Sequence, residues 1–196
     1  MLKTPNLRKI IKTPKKIQGV IKGRPDWDSY FMALAYFIST RSSCSDRMTG
    51  AVLVKDKTII ATGFNGAPRG VKDCLEKDEC IRENRDKSKG KDYHNCYAAH
   101  AEVNALANHA FMGGSSTLGA ALYTTVYPCT DCARQIINAG ISKIFYTEGL
   151  PNDTGLAPEL FKETGIVCKK ISKDKVAAVM FRALEHLVDR DEYGKP

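Results

Sequence analysis

Hydrophobic residues in this chain fall in short periodic runs broken by turn-forming residues. After Arg24-Pro25, Asp26 is placed to cap a helix, and Trp27, Tyr30, Phe31, Leu34, Ala35 and Ile38 recur at helical spacing. Residues 51–54 and 58–61 are apolar runs on either side of a polar turn at 55–57, which predicts a hairpin. The segment 63–70, rich in Gly and ending after Pro68, is turn-forming and is expected to end that strand pair. Residues 71–95 are densely charged, show no period and read as an inserted loop.

Beyond it the pattern alternates. A helix is expected over 101–112, stopped by Gly113-Gly114, and a strand over 120–126. A second helix should begin at Pro128, a residue suited to a first helical position, and end by Gly140. A strand at 143–147, a helix near 156–164, a strand at 166–170 and a helix near 173–189 complete the chain. A hairpin followed by repeated helix–strand units predicts a mixed sheet covered by helices, a three-layer α/β architecture. No internal repeat is present.

Length and charge narrow the class. The 196 residues fit one domain with an ample core, and the 43% hydrophobic content is that of an ordinary globular protein. No apolar run is long enough for a membrane span, and residues 1–24 contain no apolar signal-peptide core; a cytoplasmic protein is expected. The net charge of +8 is localised: residues 1–24 hold eight bases (Lys3, Arg8, Lys9, Lys12, Lys15, Lys16, Lys22 and Arg24) and no acid. Residues 25–196 are therefore neutral, so the basic character belongs to a tail, read as a solvated extension. That argues against a nucleic-acid-binding core, although such a tail could hold an anionic partner.

Seven cysteines without a secretory signal point to metal ligation rather than disulfides. Cys168, beside Ile166-Val167, reads as a buried strand thiol. The decisive residues are His100-Ala101-Glu102 and Pro128-Cys129-Thr130-Asp131-Cys132. Cys129 and Cys132, three apart at the start of a helix, project from one side, and the helix N-terminus favours thiolates. His100 at the start of the preceding helix supplies a third ligand. Three protein ligands leave a fourth tetrahedral position for water, the pattern of a catalytic rather than a structural zinc. Glu102, two residues on, is placed to take and give protons beside a metal-bound water without ligating the metal. HxE alone is weak, and CxxC alone could be a redox pair or half of a structural site; together, each opening a helix, they are far more specific.

This HxE…PCxxC arrangement is similar to that of the zinc nucleobase deaminases. More closely, the chain resembles the deoxycytidylate (dCMP) deaminases of bacteria and phages. The resemblance lies in residues 27–32 (WDSYFM), 39–44 (STRSSC), 49–52 (TGAV), 63–68 (GFNGAP), 100–105 (HAEVNA), 122–125 (LYTT) and 138–141 (NAGI). It implies a five-stranded mixed sheet between helices, conversion of dCMP to dUMP in a step toward thymidylate, and a homo-oligomer, usually a hexamer. It further implies dCTP activation and dTTP inhibition, with Mg2+ accompanying a nucleotide effector. Some phage enzymes carry an arginine late in the HAE helix that is implicated in effector response; here that stretch reads Ala110-Phe111-Met112.

By the same resemblance Asn65 contacts the substrate sugar; on residues alone Asn65-Gly66 is equally a tight turn. Ala101 lies within the HAE motif, and Thr125 and Tyr127 adjoin the zinc loop; they are expected to line the base pocket, with ordinary strand roles as the alternative. Arg69 could meet a phosphate or be surface charge. Cys74, Cys80, His94 and Cys96, with Cys44 as an alternate, suggest a second, structural zinc closing an otherwise polar loop within 71–98; unliganded thiols are the alternative. The rival functions are a dCTP-accepting deaminase, a tRNA or other nucleic-acid deaminase, and a non-catalytic zinc-stabilised binding module. Glu102 counts against the last, because a structural site needs no acid beside its metal.

Overall fold

A computed structural model describes residues 14–20, 22–44, 46–81, 96–149 and 155–190. His94, most of the basic tail and the middle of the 71–98 insertion lie outside them. After a single 3-10 turn at Lys15–Ile17, the elements are α1 (Trp27–Ser39), β1 (Gly50–Lys55), β2 (Thr58–Phe64), α2 (Cys74–Lys77), α3 (Ala101–Phe111), β3 (Ala121–Val126), α4 (Thr130–Asn138), β4 (Lys143–Glu148), α5 (Ala157–Glu163), β5 (Val167–Lys170) and α6 (Lys173–Arg190).

The five strands form one sheet in the order β2-β1-β3-β4-β5. β1 pairs antiparallel with both β2 and β3, whereas β3, β4 and β5 run parallel. Strand side chains alternate between faces. Leu53, Leu122 and Ile144 pack with Ala101, Ala105, Cys132, Ala133, Ile136 and Phe161, which puts α3, α4 and α5 on one side of the sheet. Val52, Val54, Tyr123 and Phe145 pack with Phe31, Met32, Ala35 and Val176, which puts α1 and α6 on the other. This is the expected three-layer α/β/α arrangement on a five-stranded mixed sheet.

Several local expectations shift. The β1–β2 turn is only Asp56-Lys57, both with positive φ (49° and 61°), as a two-residue hairpin requires. β2 continues through Gly63 and Phe64 rather than ending before them. The reason is packing: a methyl group at Gly63 would run into the Ala101 carbonyl and the Ala105 amide of α3, so glycine lets strand and helix approach closely. Asp26 does cap α1, its carboxylate accepting from the Ser29 amide at 2.8 Å. The buried face of α1 is, however, Phe31, Met32, Ala35 and Ser39, and Trp27 and Tyr30 stay exposed. Pro128 lies outside α4, because Cys129 is the N-cap residue. A four-residue helix, α2, interrupts the charged loop, with Asp73 and Glu76 forming a reciprocal capping box. Among the described residues, no helix is long and apolar enough to cross a membrane.

α3 is fixed against the sheet edge by polar side chains. The carbonyls of Phe64 and Thr62 accept from the Asn104 and Asn108 amides, each at 2.8 Å, and His109 Nδ1 lies 3.3 Å from the Ile60 carbonyl. These carbonyls belong to alternate residues of the outermost strand, so the helix satisfies groups that would otherwise template another strand. The same contacts set the position of the α3 N-terminus.

Candidate active site

The N-termini of α3 and α4 meet beyond the carboxyl-terminal end of β3. His100 is the N-cap of α3, Cys129 is the N-cap of α4, and Cys132 lies in the first turn of α4. His100 Nδ1 is 3.4 Å from Cys129 Sγ and 3.3 Å from Cys132 Sγ. Among the described residues these three bring metal-ligating atoms together within 4.8 Å. One imidazole nitrogen and two thiols, converging from two helix starts, fit a zinc ion. Neither Cys129 nor His100 spends its side chain on capping its own helix, which leaves both side chains for the shared centre.

The electrostatics suit a cation. Cys129 is held down to about 3, chiefly by the Cys132 thiol donating to it and further by His100, against the opposing effect of burial. Cys132 is pushed well up, because ionising it would set a second negative charge beside Cys129 in a buried place near Glu102. His100 is raised, first by its contact with Cys129, although burial opposes this. Without a cation the site thus favours one thiolate and resists a second, and a divalent ion is what would favour both sulfurs as thiolates.

Glu102 is 6% exposed and lies on the inner side of α3. Burial raises its pKa, partly countered by hydrogen bonding and by His100. Its Oε1 accepts from the Thr124 hydroxyl at 3.0 Å, and its Oε2 lies 3.6 Å from Cys132 Sγ. A buried carboxyl group within reach of a three-ligand metal site, held by one hydroxyl, is placed for general acid–base chemistry.

The other expected residues are placed as follows. Asn65 is buried, and its amide clamps the loop after α1: Oδ1 accepts from Thr49 N (2.8 Å) and Ser42 Oγ (2.7 Å), and Nδ2 donates to the Arg47 carbonyl (2.7 Å). Backbone bonds between Gly66 and Ala99 tie the turn after β2, next to Asn65, to the residue just before His100. Ala101 is fully buried at the start of α3. Thr125 Oγ accepts from the Gly50 amide at 3.2 Å, and so is engaged with β1. Tyr127 packs edge-on to Tyr146, with its hydroxyl 3.7 Å from Cys168 Sγ. Arg69 donates to Asn108 Oδ1 and lies over the Phe111 ring.

All seven cysteines are free thiols. Cys74 and Cys80 are buried and Cys44, Cys96 and Cys168 are half-buried. Burial raises Cys74 most, followed by the charge of its neighbours Cys96, Cys44 and Cys80, so these four residues gather in one region. Their sulfurs do not close to the spacing seen at His100, Cys129 and Cys132. Thr124 was not singled out by sequence. The available signal was a hydroxyl on the strand face shared with Leu122, where an aliphatic side chain would be expected.

Over residues 25–148 the chain matches the cytidine and deoxycytidylate deaminase zinc-binding region. It is 37% identical over 151 residues to the deoxycytidylate deaminase of Saccharomyces cerevisiae, covering 76% of this chain and 46% of the yeast protein. With the deoxycytidylate deaminase of Mycobacterium phage D29 it shares 39% identity over 128 residues, covering 63% of this chain and 95% of the phage protein. The chain therefore spans less than half of the yeast relative and nearly all of the phage one. The crystal structure of dCMP deaminase from cyanophage S-TIM5, in complex with dCMP and dUMP, superposes with a TM-score of 0.60 at 26% identity, over 76% of this chain and 100% of that one. The family model covers more than half of the chain and the fold agrees, so this chain belongs to the cytidine and deoxycytidylate deaminase family.

Proposed function

We propose that this site hydrolyses dCMP to dUMP and ammonia. The observation that carries the reading is the convergence of His100, Cys129 and Cys132 beside the buried carboxyl of Glu102. Relatives named for this reaction, and a structural neighbour crystallised with dCMP and dUMP, favour this substrate. Zinc held by the three ligands would act as a Lewis acid and make water acidic enough to yield hydroxide near neutral pH.

Glu102 then does the proton work. It takes a proton from the attacking water and passes it to ring N3 as oxygen bonds to C4. The proton left on that oxygen goes through Glu102 to the exocyclic amine, the C4–N bond breaks as C4=O forms, and ammonia leaves. The buried setting keeps competing bulk water away from the carboxyl and strengthens its interactions. Asn65 is read as a sugar contact: its Nδ2 has two hydrogens, and the bond to Arg47 uses one. Ala101, Thr125 and Tyr127 are read as walls of the base pocket. Ammonia release measured on dCMP, dCTP, cytidine and tRNA adenosine tests the substrate; turnover of tRNA adenosine with dCMP inert would overturn the assignment.

The gathering of Cys74, Cys80 and Cys96 supports a second, structural zinc, with His94, outside the described residues, as the fourth ligand and the neighbouring Cys44 as its alternate. Metal analysis should then find two zinc ions per chain, falling to one in Cys74→Ser; one zinc in both proteins would rule it out. Exposed Phe111, Met112 and Leu118 favour an assembly of several copies, read as a hexamer responsive to dCTP and dTTP with Mg2+. Light scattering with and without those nucleotides tests it, and a monomer throughout would contradict it. Seven free thiols suit a reducing cytoplasm.

A further inference from the structure

Thr124 sits in β3 with none of its surface exposed, on the sheet face that packs beneath α3. A buried hydroxyl is costly to desolvate unless it is hydrogen-bonded, and here it has two partners. Its Oγ is 3.0 Å from Glu102 Oε1 and 3.1 Å from the Val126 carbonyl oxygen. A hydroxyl has one hydrogen and two lone pairs. Facing a carboxylate, Thr124 donates to Oε1. Facing a carboxylic acid, it accepts the acid's hydrogen and turns its own toward Val126. Only rotation about the Cβ–Oγ bond separates the two arrangements, and no heavy atom has to move.

Valine is close to threonine in shape and lacks the hydroxyl, the group that reaches Glu102 and the Val126 carbonyl. The hydroxyl is what a purely structural strand position would omit. We infer that Thr124 is a positioning residue for the deamination: its hydroxyl fixes the Glu102 carboxyl, as donor or as acceptor, through both proton transfers. A carboxyl that rotates freely would reach N3 and the leaving amine in the productive geometry only part of the time, and such misplacement is felt in kcat rather than in substrate affinity.

The inference rests on the deaminase reading above, and the two fail separately. Wild-type ammonia release from dCMP tests the reading, and the ratio of variant to wild type on the deaminated nucleotide tests Thr124. In Thr124→Val, kcat should fall about 10- to 100-fold, the loss expected for one hydrogen bond to a charged group, with KM changed less than about twofold. Thr124→Ser, which restores the hydroxyl, should return kcat to within about threefold of wild type. Zinc content should be the same in all three proteins.

A binding measurement supplies a readout apart from turnover. The probe is the 5′-monophosphate of pyrimidin-2-one deoxyriboside, whose C4 hydrate resembles the tetrahedral species. Its affinity should weaken about 10-fold in Thr124→Val while that of dUMP stays constant. Thr124→Ala gives the same comparison should the valine variant not fold. Wild-type kcat in the valine or alanine variant would overturn the inference. So would equal losses in the serine and valine variants, or losses that follow zinc content.

Discussion

At the scale of single residues, the account separates metal holding from proton transfer. Glu102→Gln keeps the size of the side chain and its hydrogen-bonding capacity but cannot accept a proton as the carboxylate does. It should retain zinc while kcat on dCMP falls about 10²- to 10⁴-fold, read by ammonia release alongside metal analysis. Cys132→Ser should do the opposite first: zinc is lost on dialysis, and activity disappears with it. These residues were legible in the sequence because their geometry is local. His100 and Glu102 share one helix start, and Cys129 and Cys132 share another. The threefold clamp on Asn65 and the bond from Thr124 to Glu102 were not legible. Both join residues far apart in sequence, 16 to 23 positions for Asn65 and 22 for Thr124.

At the scale of elements, the site depends on how closely α3 lies on the β1–β2 hairpin. Gly63→Ala puts a methyl group into the Ala101 carbonyl and the Ala105 amide, and both belong to backbone that cannot swing aside. Overpacking of this kind should destabilise the fold by about 1–3 kcal/mol, seen as a lower thermal midpoint. Because Ala101 lies between His100 and Glu102, the same substitution should also weaken zinc retention. An unchanged midpoint would show that strand and helix separate without cost.

The alternating pattern of helices and strands was legible, since hydrophobic period reports it directly. The ends of elements were less so. Cys129 rather than Pro128 adjoins α4, and β2 runs on through a glycine that reads as a turn residue in sequence but serves as a packing contact in the fold. Trp27 and Tyr30 fit a helical face, yet the sheet takes up the neighbouring face with Phe31, Met32 and Ala35. Periodicity defines a stripe, and the partner surface decides which side of it is buried.

At the scale of the whole molecule, Glu148 joins three parts of the chain. Its carboxylate takes Arg47 at 2.8 Å, Lys173 of α6 at 2.9 Å and the Tyr36 hydroxyl of α1 at 3.1 Å. Burial alone would raise its pKa, but the hydrogen bonds from Lys173 and Arg47 and the charge of Lys173 win, and it ends below the ordinary value. Lys173 is correspondingly raised, first by its bond to Glu148. A carboxylate with a depressed pKa in the fold stabilises it above its unfolded value of about 4.3, and that contribution is lost as pH falls through the lower folded value.

Thermal unfolding should therefore show a declining midpoint below about pH 4, and Glu148→Gln should flatten that decline. Both ions are partly solvated, so the effect is modest and weakens with salt. An unaltered acid profile in Glu148→Gln would remove Glu148 from the account of acid stability. None of this network was legible in the sequence, because it depends on α1, β4 and α6 being brought together by the layered packing.

The central claim is that water replaces an amino group at this centre with Glu102 carrying the protons, and isotope labelling tests it most directly. Zinc-loaded protein is incubated with dCMP in ¹⁸O-water, and the product is weighed by mass spectrometry. The account predicts dUMP carrying one ¹⁸O, one equivalent of ammonia, and almost no product from Glu102→Gln. Unlabelled dUMP, or no dUMP from fully zinc-loaded protein, would contradict it.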